Sequence, residues 1–86
     1  MINQEIRNRI KLSVAAYAYE IEDDSIISDA EFDEMCKHID VTKTTGNIKM
    51  DDFFKNEFNP STGQWIHRHP ELNKIKIIYE KYYKNR

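Results

Sequence analysis

Ile2, Ile6, Ile10, Val14, Tyr17 and Ile21 follow one another at steps of four, four, four, three and four, the spacing that keeps side chains on one face of an α-helix. No other stretch commits so much of the chain to one element. The stripe predicts a helix from about residue 3 to residue 22. Leu12, Ala15, Ala16 and Tyr19 widen the apolar surface of its second half, so that half is expected to meet two neighbours. The alanine pair lets another element come close. Arg7, Arg9 and Lys11 keep the first half basic. Tyr17 is expected to pack in the core with its hydroxyl at the rim.

A second helix start is written just beyond. There the chain runs Ile27, Ser28, Asp29, Ala30, Glu31, and the pair Ser28 and Glu31 has the spacing of a capping box, which places the first helical residue at Asp29. Asp29, Glu31, Asp33 and Glu34 then fall in or near the first turn, where the helix dipole favours carboxylates. Ala30, Phe32, Met35, Cys36 and Ile39 give a narrow apolar face ending at His38 or Ile39. Cys36, the single cysteine, excludes an internal disulfide and reads as a small core residue.

From Asp40 to Asn47 threonine, glycine and asparagine accumulate without periodicity, the composition of a loop. Ile48, Phe53, Phe54 and Phe58 flank a third helix over about 49–58, with Phe54 and Phe58 one turn apart. Asn59-Pro60-Ser61-Thr62-Gly63 breaks it. A loop containing Gln64, Trp65, Ile66, His67, Arg68 and His69 follows. Pro70 suits the first position of a last helix, whose stripe is Leu72, Ile75, Ile78, Tyr79 and Tyr82. Trp65 either plugs the core beneath its loop or anchors a partner on the surface. His67 and His69, two residues apart, have no third ligand near them in sequence, and no metal site is expected.

A chain of 86 residues buries only about 60% of its unfolded surface, which makes binding an easier task than building a deep catalytic cleft. With 40% hydrophobic and 33% charged residues, 2 Gly and 2 Pro, it is expected to be one helix-rich globule. The net charge of −2 offers no global attraction to nucleic acid or membranes. It also hides a division. Residues 20–40 hold nine acidic side chains against one lysine, and residues 64–86 hold six basic against two acidic. Without an apolar leader or a long apolar run, the expected location is the cytoplasm, off the membrane.

The stretch from Tyr17 to Met35 carries a family likeness. Tyr17, Tyr19, Asp23, Ile27, Ser28, Asp29, Ala30, Glu31, Asp33 and Met35 follow the order and spacing of a tyrosine pair near a helix end, an acidic turn and an Ile-Ser/Pro-Asp-Ala-Glu-Tyr-Asp-x-Leu/Met motif. In this, residues 1–40 resemble the small N-terminal Ia domain of bacterial NAD-dependent DNA ligases. The resemblance implies a helix-corner-helix unit, and it implies that Tyr19, Glu20, Asp29, Phe32 and Asp33 stand where that family holds the nicotinamide mononucleotide half of NAD. Glu20 replaces the usual histidine and Phe32 the usual tyrosine. Lys43-Thr44-Thr45-Gly46 lacks the aspartate of the nucleotidyltransferase Lys-x-Asp-Gly motif, so ligase chemistry is not expected. The whole chain also resembles small proteins encoded by phages and prophages, with Phe58 to His67 as a second recurring piece.

Together these readings predict an all-α domain of about four helices, spanning residues 1–86, with its core supplied by Val14, Tyr17, Ile21, Phe32, Phe54, Phe58, Leu72, Ile75, Ile78 and Tyr79. The first functional expectation is a non-enzymatic phage-type accessory protein without a cofactor, which binds a host or phage protein through charged surfaces. Its candidate binding residues are Tyr19, Glu20, Asp29, Phe32, Asp33 and Trp65. The alternative is a stand-alone module for nicotinamide mononucleotide or NAD at the same corner. A third is nucleic-acid binding by the basic last helix with Tyr79, Tyr82 and Tyr83, the least favoured because those tyrosines follow a core stripe.

Overall fold

The computed structural model describes residues 2–84. They form four α-helices, α1 (Ile2–Ile21), α2 (Asp29–His38), α3 (Ile48–Asn56) and α4 (Leu72–Tyr82), with a 3₁₀ turn over Gln64–Arg68 between the last two. No strand occurs among the described residues, and the class is all-α as the sequence predicts. The side chain of Ile2 and the whole of Arg86, counted above in the first stripe and the basic tail, lie outside the described residues. Among the described residues no helix is long and apolar enough to cross a membrane.

α1 is the axis of the molecule and packs against α2, α4 and the 3₁₀ turn. Every residue from Leu12 to Ala18 is buried, so this segment is enclosed all round, as a helix apolar on every side must be. Its neighbours contribute Phe53 and Phe54 from α3, Trp65 and Ile66 from the turn, and Ile75 and Tyr79 from α4. Phe32, Phe58, Leu72 and Ile78 pack on this core half-buried. The rings of Phe53, Phe54 and Phe58 surround Trp65 with centroids 6.0, 5.6 and 5.3 Å away.

Several expectations change. Ile21 and Tyr82 are exposed rather than core, because each is the last residue of its helix and the chain turns away from the neighbours its stripe was facing. The expected loop around Trp65 is instead a 3₁₀ turn whose Trp65 and Ile66 are 2% and 0% exposed; Trp65 is the core plug, and its reading as a surface anchor is corrected. α3 begins at Ile48, not 49, because the Asn47 side chain accepts from the Met50 N–H at 3.2 Å. It ends at Asn56, before the extended geometry that Pro60 imposes on Asn59. α4 begins at Leu72 and not at Pro70: His69 Nδ1 accepts from the Glu71 N–H at 3.0 Å and holds residues 69–71 in a turn.

The largest departure lies in the first half of α1. Ile10 is 37% exposed, while Glu5 and Arg9 are each 2% exposed. Ile6 and Ile10 line an open apolar cleft of about 260 Å³ with Met50, Ile75 and Ile78. The buried Arg9 guanidinium donates from Nε to Glu5 at 2.7 Å, from Nη1 to Asp51 at 2.9 Å, and from Nη2 to the carbonyls of Asp40 at 2.8 Å and Lys43 at 3.1 Å. Its carbon lies 5.0 Å from the centre of the Phe54 ring. Glu5 accepts in addition from the Asp40 N–H, and Asp51 from the N–H and hydroxyl of Thr45. Asp51 is partly desolvated, which by itself opposes ionisation, yet the donors of Thr45 and Arg9 hold its carboxyl below the ordinary aspartate value.

Two predictions follow from this packing. Arg9→Met leaves two carboxylates unpaired, one of them fully buried, and should cost about 3–5 kcal/mol of unfolding free energy in urea; Glu5→Met with Arg9→Met should cost less than the single Arg9 change. The second concerns His69, 6% exposed beside the Phe53 ring at 5.1 Å. Burial pulls its imidazole from 6.5 down to about 4, with the Glu71 carboxylate opposing weakly. Above pH 6.5 both folded and unfolded chains hold it neutral; below, only the unfolded chain takes up the proton. Stability should therefore fall as pH drops from 6.5 toward 4, by up to about 1.4 kcal/mol per pH unit from this group. His69→Asn keeps an acceptor for the Glu71 N–H and should flatten the slope of the urea midpoint between pH 6.5 and 5.

Candidate functional site

The end of α1 is shaped by its own backbone. Asp23 takes the left-handed conformation, φ 54°, which aspartate tolerates better than most residues, and the Asp24 N–H reaches back to the Ala18 carbonyl at 2.8 Å. Two tyrosines brace the corner. Tyr17 donates to Glu22 at 2.9 Å and Tyr79 to Asp24 at 2.7 Å; burial, followed by the Glu22 carboxylate, pushes the Tyr17 hydroxyl up to about 12, so it stays a donor. The chain then enters α2 through the expected capping box: Ser28 Oγ accepts from the Glu31 N–H at 3.1 Å and Glu31 Oε1 from the Ser28 N–H at 3.3 Å.

This corner opens a cleft of about 370 Å³ between α1 and α2. Ala15, Ala16, Tyr19 and Glu20 line it from one face of α1, and Asp29, Phe32 and Asp33 from one face of α2, in each case residues three, four or five apart that a helix brings to the same side. Five of the six candidate residues thus meet in one place. Trp65 does not line it and lies in the aromatic cluster beneath.

A third wall was not among the candidates. Ser61, Thr62 and Gly63 close the end of the cleft, held by an asparagine turn in which Asn59 Oδ1 accepts from the Ser61 N–H at 2.9 Å. A Cβ on Gly63 would stand 3.3 Å from Phe32 Cζ and 3.5 Å from the Ala16 Cβ. Its φ of −99° is open to any residue, so glycine serves here for close approach and not for backbone freedom. The Ala15 and Ala16 pair was the available signal: a helix face cut down to methyl groups invites a neighbour that has no side chain of its own.

The charges sort by use. Of the acidic block, Glu22 and Asp24 accept from tyrosines, Glu31 completes the cap, Asp40 accepts from Thr42, whose hydroxyl and N–H hold its carboxyl below the ordinary value, and Glu34 lies 3.4 Å from His38. Asp23 is exposed at the corner and does not line the cleft, while Glu20, Asp29 and Asp33 remain around it. Glu20 has His67 Nε2 at 3.8 Å; among the described residues no cationic side chain is within 4.0 Å of Asp29 or Asp33, and no Lys, Arg or His lines the cleft. The basic tail is partly paired locally, Arg68 with Glu57 at 3.3 Å and Lys74 with Glu71 at 3.0 Å, both exposed pairs of small energetic weight. His67 is exposed and His69 buried. No group of three or more His, Cys, Asp or Glu is placed to hold a metal among the described residues. Burial, then the Asp33 charge, pushes the Cys36 thiol up to about 11, which leaves it a packed apolar residue.

Compared with known protein families, curated proteins and solved structures, the chain matches none of them.

Because the capping box sets where α2 begins, and with it the placement of Asp29, Phe32 and Asp33, Ser28→Ala should cost about 1 kcal/mol, measured as a lowered urea midpoint at unchanged slope.

Proposed function

We propose that this chain is a non-enzymatic accessory protein of the kind phages encode, which acts by capturing a basic surface of a protein partner in the acidic cleft between α1 and α2. One observation carries the reading: the charged residues lining the cleft, Glu20, Asp29 and Asp33, are all acidic. Fold-internal contacts absorb most of the other carboxylates of that block, and the three at the cleft are the free ones that converge on a recess. Complementary charge of this kind speeds encounter and selects among partners more than it adds raw affinity.

A second reading draws on the convergence of Tyr19, Glu20, Asp29, Phe32 and Asp33 on the same cleft, the five positions at which the ligase Ia domain holds nicotinamide mononucleotide. The carboxylate of Glu20 weighs against it. A phosphate brought within about 4 Å of one carboxylate meets a repulsion of about 1 kcal/mol even at the dielectric of water, and Asp29 and Asp33 add to it.

One pair of measurements separates the two. Asp29→Lys with Asp33→Lys should abolish capture of basic partners from host lysate, and wild-type capture should decline as salt is raised; the double variant should remain folded by circular dichroism, with the loss of the favourable helix-dipole contact of Asp29 costing about 1 kcal/mol or less. Nicotinamide mononucleotide and NAD should leave the amide resonances of Tyr19 and Asp29 in place. A saturable micromolar shift of those resonances, abolished by Asp29→Asn, would give the cleft to the nucleotide instead.

A further inference from the structure

Carboxylates on an open surface attract any cation, whereas the shape of this cleft distinguishes one cation from another. Tyr19 is 56% exposed and stands one helical turn from Ala15 on the same wall. Opposite is Phe32, whose ring edge approaches Gly63. Ala15, Ala16 and Gly63 carry nothing larger than a methyl group, so the recess combines two aromatic residues and small neighbours with Glu20, Asp29 and Asp33 in one lining. Its volume of about 370 Å³ is toward the small end of ligand sites and has room for one side chain.

A lysine ammonium is a compact, strongly hydrated charge that gains from the carboxylates whether or not the recess exists. A guanidinium is flat and weakly hydrated; it can lie on an aromatic face while its edge donates to carboxylate oxygens. We infer that the cleft is an arginine pocket, in which a guanidinium presented by the partner stacks on Tyr19 and is held by Asp29 and Asp33. This inference rests on the basic-partner reading above and narrows it to one side chain.

The test titrates the full chain with three peptides of the same length, (Gly-Ser-Arg)₃, (Gly-Ser-Lys)₃ and the citrulline analogue, which keeps the planar shape of arginine without its charge. The arginine peptide should bind about tenfold more tightly than the lysine peptide, shift the amides of Tyr19, Phe32 and Gly63, and lose its advantage in Tyr19→Ala but keep it in Tyr19→Phe. The citrulline peptide should not bind. Tyr19 is exposed, so its removal leaves the core intact. Equal binding of the arginine and lysine peptides, or an arginine preference that survives Tyr19→Ala, overturns the arginine pocket while leaving the basic-partner reading standing. Failure of both cationic peptides to bind, or binding unchanged by Asp29→Asn with Asp33→Asn, overturns the two together.

Discussion

The buried guanidinium of Arg9 is the contact on which the less regular half of the molecule depends. Residues 40–47 have no apolar periodicity and no helix of their own, and ordering such a segment costs about 1–2 kcal/mol of backbone entropy per residue. Arg9 offsets that cost by binding the segment at two carbonyls, Asp40 and Lys43, while Glu5 takes the Asp40 N–H. Asp51 then joins the same guanidinium to α3. A buried charge tolerates few alternatives, since any arrangement that leaves it unpaired is strongly unfavourable. The seat of α3 follows from this, then the positions of Phe53 and Phe54, then that of Trp65 against them. The 3₁₀ turn carrying Trp65 has Gly63 at its start, and Gly63 closes the cleft. The end wall of the candidate site is thus reached by packing from an ion pair at the other end of α1.

This dependence explains which parts of the molecule were readable beforehand. Local signals served well where the cause of a structure is local. The four-residue spacing of α1, the Ser28 and Glu31 cap, and the Phe54 and Phe58 pair each involve residues within one turn of one another, and all three appear. Arg9 has one partner within a turn, Glu5 at i−4, but that spacing by itself reads as an ordinary pair on the exposed side of a helix. Its other partners Asp40, Lys43 and Asp51 are 31, 34 and 42 residues away. The isoleucine stripe was accordingly taken as the buried face throughout, when in the first half the burial lies a step to the side, on Glu5 and Arg9. Trp65 and Ile66 posed a similar difficulty: a turn-rich segment beneath which apolar side chains are buried has the composition of an exposed loop.

The cleft divides along the same line. Its two helical walls were named through the family resemblance, which singles out Tyr19, Glu20, Asp29, Phe32 and Asp33; helical spacing then accounts for Asp29, Phe32 and Asp33 sharing one side of α2. The third wall, Ser61 to Gly63, is brought there by the aromatic cluster, a tertiary effect without a local mark. Even so, the alanine pair on α1 and one of only two glycines in the chain are two halves of one contact, each small because the other is near.

Three carboxylates around one recess also carry a consequence for stability. Like charges held together by a fold oppose it, and here the opposition is offset locally by the α2 dipole acting on Asp29 in its first turn. The offset is partial, since α2 is only 10 residues long and the dipole acts within its first turn. A cation entering the cleft removes the remaining repulsion as it binds, so part of its affinity comes from relief within the free protein and not from new contacts alone. By linkage, the same ligand must raise the stability of the chain. An anion entering the cleft would do the reverse. The acidity that makes the corner slightly costly to fold therefore favours a cation over an anion there, and the capping box is the local device that lets the fold bear it.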